Sequence, residues 1–116
     1  MSHPFIFMDL RTTDQDQSRH FYGELFGWAV TDSPGGAMFA GSGGAPWGGL
    51  TPLAEQDTRR PQWIPYAPVA DLEDALRKAV ELGGTVVRER VDLPQGSVAV
   101  IDDPSGATMA LWQSAG

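Results

Sequence analysis

Few side chains in this 116-residue chain could do chemistry, and two that could lie close together near its start. Strand alternation over Pro4 to Leu10 puts Phe5, Phe7 and Asp9 on one face and Ile6, Met8 and Leu10 on the other, and Arg11 continues the first face. A carboxylate and a guanidinium at the end of an aromatic row suit the wall of a lined cavity better than a sealed core. Two uses stand open for the pair. Asp9 and Arg11 can bond each other as strand neighbours, or the planar fork of Arg11 can take a ligand carboxylate. A second strand, Trp63 to Val69, offers Ile64, Tyr66 and Pro68 on one face.

Other chemistries find less support. The chain has no cysteine, so thiolate metal sites, disulfides and cysteine nucleophiles are excluded. His3 and His20 have no third metal ligand at a suitable spacing, and His20 is expected at solvent. No Gly-x-Ser-x-Gly elbow is present. Asp102 and Asp103, followed by Pro-Ser-Gly, form a turn in which a carboxylate bonds the backbone. The glycine-rich run Gly41 to Gly49 lacks both the Gly-x-Gly-x-x-Gly spacing and a lysine, so it reads as a hairpin turn entering a strand around Trp47 to Leu50.

The elements that must position these side chains come from a repeat. Asp, Glu, Leu, Gly and Val recur at 14/71, 24/81, 25/82, 27/84 and 30/87, an offset of 57 (71 minus 14). Each copy opens a helix with Asp and closes it with Gly. In the second copy Leu72, Ala75, Leu76, Ala79 and Val80 share one helical face, with Asp71 as N-cap and Gly83-Gly84 as the left-handed stop. In the first, Asp14 with Gln17 has capping-box spacing, Phe21, Leu25 and Phe26 are expected to face inward, and Gly27 terminates. Strands are expected over Trp28 to Thr31, Ala37 to Ala40, Thr85 to Val91, Ser97 to Ile101 and Thr108 to Gln113. Pro65 and Pro68 push the Trp63 strand to an edge or a domain boundary. Each half reads β-α-β-β-β: module 1 over about 4–53, a polar linker over 54–62, and module 2 over about 63–113, in one domain.

Composition bounds the partners. The formal charge is −7, with a single lysine and no basic stripe to neutralise phosphates, so nucleic acid is set aside. No run is long and apolar enough to span a membrane, and no basic segment leads into an apolar one, so a soluble cytoplasmic protein is expected.

The motifs Phe21-Tyr-Gly-Glu-Leu-Phe-Gly-Trp28, Val69-Ala-Asp-Leu-Glu-Asp-Ala75, Leu82-Gly-Gly84 and Asp103-Pro-Ser-Gly106, in this order and spacing, resemble the vicinal oxygen chelate superfamily of glyoxalases, bleomycin-resistance proteins and extradiol dioxygenases. The resemblance implies an α+β fold. Its two βαβββ modules form a curled mixed sheet, a cup or half-barrel, with the helices packed on the convex face. It also implies a homodimer. In enzymes of the family the cup holds a divalent metal that acts as a Lewis acid. Carried over by position, the ligand sites fall at Phe7, Ile64, Ala110 and either Gly48 or Leu50, none of which can ligate. Arg11 stands where glyoxalase-like members place an arginine for an anionic substrate group.

The expected lining is therefore Phe7, Asp9 and Arg11, with Trp47 or Leu50, Ile64, Tyr66, Thr108, Ala110 and Trp112. Apolar and aromatic groups with a few polar ones describe a small-molecule site. The expected protein uses no metal and no cofactor, and sequesters an aromatic or amphipathic ligand. The net acidity favours a cationic ligand and Arg11 an anionic one. The alternative is a metal-independent lyase, isomerase or hydrolase acting on a small anionic substrate through Asp9, Tyr66 and Arg11. A wholly apolar, sealed cup would instead indicate an interaction module.

Overall fold

The computed structural model describes residues 4–33, 36–40, 46–53 and 60–115. The expectations placed on His3, on most of the glycine run and on most of the linker lie outside these residues. Two compact units emerge: Phe7–Ile64, and Pro65–Gly116 together with the segment Met1–Ile6.

The first unit contains β1 (Phe7–Thr12), α1 (Gln15–Phe26), β2 (Ala29–Ser33), β3 (Gly36–Ala40) and β4 (Pro46–Pro52). Its strands run in the order β2-β3-β4-β1. β1 is parallel to β4 and the other two pairings are antiparallel. The expected strand from Pro4 begins only at Phe7, and Ile6, grouped by alternation with Met8 and Leu10, is 52% exposed. Alternation from Met8 onward holds, and Leu10 packs with Ala37, Phe39 and Leu50 in the core.

Helix α1 corrects the sequence expectation. It is capped as foreseen, with Asp14 accepting from the Gln17 N–H at 3.0 Å and Gly27 in the left-handed region at φ 76°. Its rotation is not as foreseen: Phe21, Leu25 and Phe26 are each 56% exposed. Polar anchors set the rotation. Gln15 Nε2 donates to the Leu50 carbonyl at 3.0 Å, and Ser18 Oγ donates to Thr12 Oγ1 at 3.1 Å. These bring Tyr22, one turn further along the same face, against Trp28, Phe39 and Trp63. Trp63 Nε1 donates to the Tyr22 hydroxyl at 3.1 Å, so the polar tips of both rings are satisfied within an aromatic cluster.

The second unit contains α2 (Leu72–Glu81), β6 (Thr85–Leu93), β7 (Gly96–Asp102) and β8 (Thr108–Ser114), and takes the part of β5 (Gln62–Pro68) from Pro65 onward. The boundary between units thus falls inside the proline-bearing strand. β5 runs parallel to β8, and β7 pairs antiparallel with β8 and β6. The apolar stripe of α2 packs as its spacing requires: Leu72 and Leu76 are buried against Ala99, Ile101 and Leu111, with Ala75 and Ala79 beside them. Val80 is the exception, at 54% exposure. Asp71 caps the helix through the Asp74 N–H, and Gly83 stops it at φ 97°. Both units are βαβββ modules, and the fold is α+β.

Candidate functional site

The charged pair on β1 is buried, with Asp9 2% and Arg11 9% exposed. Arg11 Nε donates to Asp9 Oδ2 at 3.2 Å. The parallel register of β1 on β4 sets Asp9 opposite Gly49 and Arg11 opposite Thr51. Thr51 Oγ1 then donates to Asp9 Oδ1 at 2.8 Å. Gly49 is needed for this approach, since a β-carbon there would run into Asp9 Oδ1 and the Phe7 ring. Among the described residues, Nη1 and Nη2 of Arg11 donate no hydrogen bond, and neither is sealed from solvent. Both sequence alternatives for the pair are therefore compatible in one geometry. Asp9 holds one edge of the guanidinium, and the terminal nitrogens remain available as donors.

The other expected lining residues divide between the units. Ile64, in the first, is 1% exposed. In the second, Tyr66 lies opposite Ala110, and its ring is 6.3 Å from that of Trp112. Ala110 is fully buried, and Thr108 Oγ1 donates to Asp102 Oδ1 at 2.6 Å. The Trp112 ring lies over Gly96 where a β-carbon would stand, so any side chain there would meet it. Along β8, Thr108, Ala110 and Trp112 alternate with Met109 and Leu111, which pack in the core beside α2.

Trp47 and Leu50 do not join the Asp9 face. Leu50 pairs with Leu10 in the register and shares its core, against Phe39. A register shift at Phe39/Ala40 turns Trp47 to that same side, where its ring stacks on Phe39 at 5.6 Å. Thr51 and Gly49 are the residues that sequence reasoning missed. Their signal was the alternation of β4, legible only once the register with β1 is known.

At the positions carried over from the fold family, the divalent metal that the family implies finds no fitting donors. The carried-over positions hold Phe7, Ile64 and Ala110, with Gly48 or Leu50 as the fourth, and none has a ligating side chain. Among the described residues no group of three His, Cys, Asp or Glu side chains could hold a metal ion.

Residues 5–112 match the profile of the glyoxalase-like domain family. CFP32 of Mycobacterium bovis, provisionally named a glyoxylase, is 34% identical over 115 residues, covering 92% of this chain and 44% of its own. The anthracycline biosynthesis protein DauV of Streptomyces sp. strain C5 is 34% identical over 110 residues, covering 86% of this chain and 38% of its own. The chain thus spans less than half the length of these curated relatives. Among solved structures, Streptomyces coelicolor methylmalonyl-CoA epimerase in complex with 2-nitronate-propionyl-CoA superposes with a TM-score of 0.59 at 16% identity, over 99% of this chain and 100% of that one. The fold, the motifs and the profile agree: this chain belongs to the glyoxalase-like family of the vicinal oxygen chelate superfamily. No helix among the described residues is long and apolar enough to cross a membrane.

Proposed function

We propose that this chain is a metal-independent small-molecule-binding protein of the glyoxalase and bleomycin-resistance type, which holds an aromatic or amphipathic ligand through an anionic group on Arg11. One observation carries this: an Arg11 side chain only 11% exposed, fixed at Nε by Asp9, with both terminal nitrogens unpartnered among the described residues. These nitrogens still reach solvent, so a ligand oxyanion can take the place of water there and gain charge-assisted hydrogen bonds from a fixed guanidinium. The net charge of −7 argues for a cationic ligand, but it is spread over the chain, whereas Arg11 acts at contact distance.

Binding without conversion is favoured over the lyase, isomerase or hydrolase alternative. Asp9, the group that would serve as base, already accepts from Arg11 at one oxygen and from Thr51 at the other, so both oxygens are engaged in holding the site rather than poised toward a substrate proton. That the relatives include a protein named for anthracycline biosynthesis, and that the fold is found with an acyl-CoA analogue bound, supports a small organic ligand. A homodimer, as in the family, belongs to the same proposal.

The test is a calorimetric titration of aromatic carboxylates into purified protein and into Arg11→Ala. Saturable binding is expected, weakened by about 1.5–3 kcal/mol in the variant, the value of a hydrogen bond to a charged group. Equal affinity in the two proteins would remove Arg11 from the site.

A further inference from the structure

The polar cluster on β1 and β4 is more constrained than an arginine awaiting an anion needs to be, and the constraint has a direction. A guanidinium can grip two oxygens along its side, using Nε and one Nη, or at its end, using Nη1 and Nη2. With Asp9 Oδ2 3.2 Å from Nε, the side is taken and the end is left. Asp9 is itself held, because its other oxygen takes the Thr51 hydroxyl at 2.8 Å. The carboxylate also lies so close over β4 that position 49 admits no β-carbon. All of these residues belong to one unit.

We infer that Asp9 and Thr51 are positioning residues that aim the Nη1–Nη2 end of Arg11 at the ligand, and that the Asp9 charge restricts the ligand's anionic group to a singly charged, planar carboxylate. This rests on the Arg11-centred binding proposed above and names the ligand class for it. Asp9 and Arg11 sum to zero charge before the ligand arrives. A carboxylate brings the cluster to one net negative charge. A phosphate monoester carries roughly −1.5 to −2 at neutral pH and leaves nearly twice that. Where Asp9 is 2% and Arg11 9% exposed, solvent does little to screen the excess. The end of the guanidinium also matches the two oxygens of a flat carboxylate. The Phe7 ring, bordering the space over Gly49, offers an apolar neighbour for a ring-bearing acid.

Benzoate and phenyl phosphate, titrated into the full chain and into Arg11→Ala, Asp9→Asn, Thr51→Val and Thr51→Ser with melting temperatures recorded, test this. The unsubstituted protein should bind benzoate about tenfold tighter than phenyl phosphate. Thr51→Val should weaken benzoate by about three- to tenfold, and Thr51→Ser, which keeps the hydroxyl, should restore it. Asp9→Asn removes the charge and keeps the shape, so it should reverse the preference toward phenyl phosphate. A purely structural Asp9 would lower both affinities together, and an unchanged ratio in folded Asp9→Asn overturns the inference. Should that variant not fold, unaltered benzoate affinity in Thr51→Val overturns it instead. If Arg11→Ala binds benzoate normally, or the unsubstituted protein binds neither probe, the Arg11-centred site falls as well. If Arg11→Ala loses binding while the Asp9→Asn preference stays put, only the present inference falls.

Discussion

Asp9 and Arg11 are charges largely withdrawn from water, and the pair is tolerable because Asp9 is bonded at both oxygens and the outer end of Arg11 still reaches solvent. Position 49 enforces that geometry. Gly49→Ala would drive a methyl group into Asp9 and Phe7, and we expect it to cost about 1–3 kcal/mol of stability by overpacking, measured by urea unfolding. An unaffected midpoint would show that the carboxylate has room to move. A different carboxylate contributes to the acid behaviour. Asp103 in the turn before β8 accepts from Ser105 Oγ at 2.7 Å and from the N–H groups of Ser105 and Ala107 at 2.8 and 3.0 Å. The Ser105 hydroxyl first, and the backbone donors with it, hold its pKa below the ordinary carboxylate value. A carboxyl depressed on folding stabilises above its unfolded pKa and loses that contribution as pH falls through its folded pKa. Melting curves of wild type and Asp103→Asn should therefore differ at neutral pH and converge in acid. A gap that stays constant with pH would contradict the assignment.

The two helices show how an element's rotation is decided. On α2 the inward face is apolar, and Leu72 and Leu76 fit against β7 and β8 because burying them is the main gain available to the helix. Leu76→Ala should cost about 2–4 kcal/mol through lost burial and the cavity left behind. On α1 the inward face is Gln15, Ser18 and Tyr22, and the apolar Phe21 is left outside. Phe21→Ser should stay within about 0.5 kcal/mol of wild type in the same assay. A large loss would restore the inward Phe21 that hydrophobic periodicity implied. The contrast explains what was legible. Caps, glycine stops and the α2 stripe are local signals, whereas the α1 rotation depends on a bond from Gln15 to the Leu50 carbonyl, 35 positions away. For the same reason Phe7, Asp9 and Arg11 could be put on one face from alternation alone. Thr51 and Gly49, and the exclusion of Trp47 and Leu50, needed the parallel register and a shift at Phe39/Ala40.

At the scale of the molecule, the repeat accounts for two βαβββ units whose helices begin 57 residues apart (72 minus 15). The second copy lengthens its β6–β7 hairpin, so the later strands drift from that offset. Family membership brings an expectation of metal chemistry, and the proposal of metal-independent binding, which rests on Phe7, Ile64 and Ala110 at the inferred ligand positions, opposes it. Benzoate affinity measured before and after exhaustive chelation, with the divalent-metal content of the same samples, puts the two against each other most directly. We predict the same dissociation constant in both samples, with less than about one tightly bound ion per ten chains and an unshifted melting temperature, the outcome expected of a protein whose folding draws on no metal-bound state. Binding that disappears on chelation and returns with one divalent ion per chain would contradict the account.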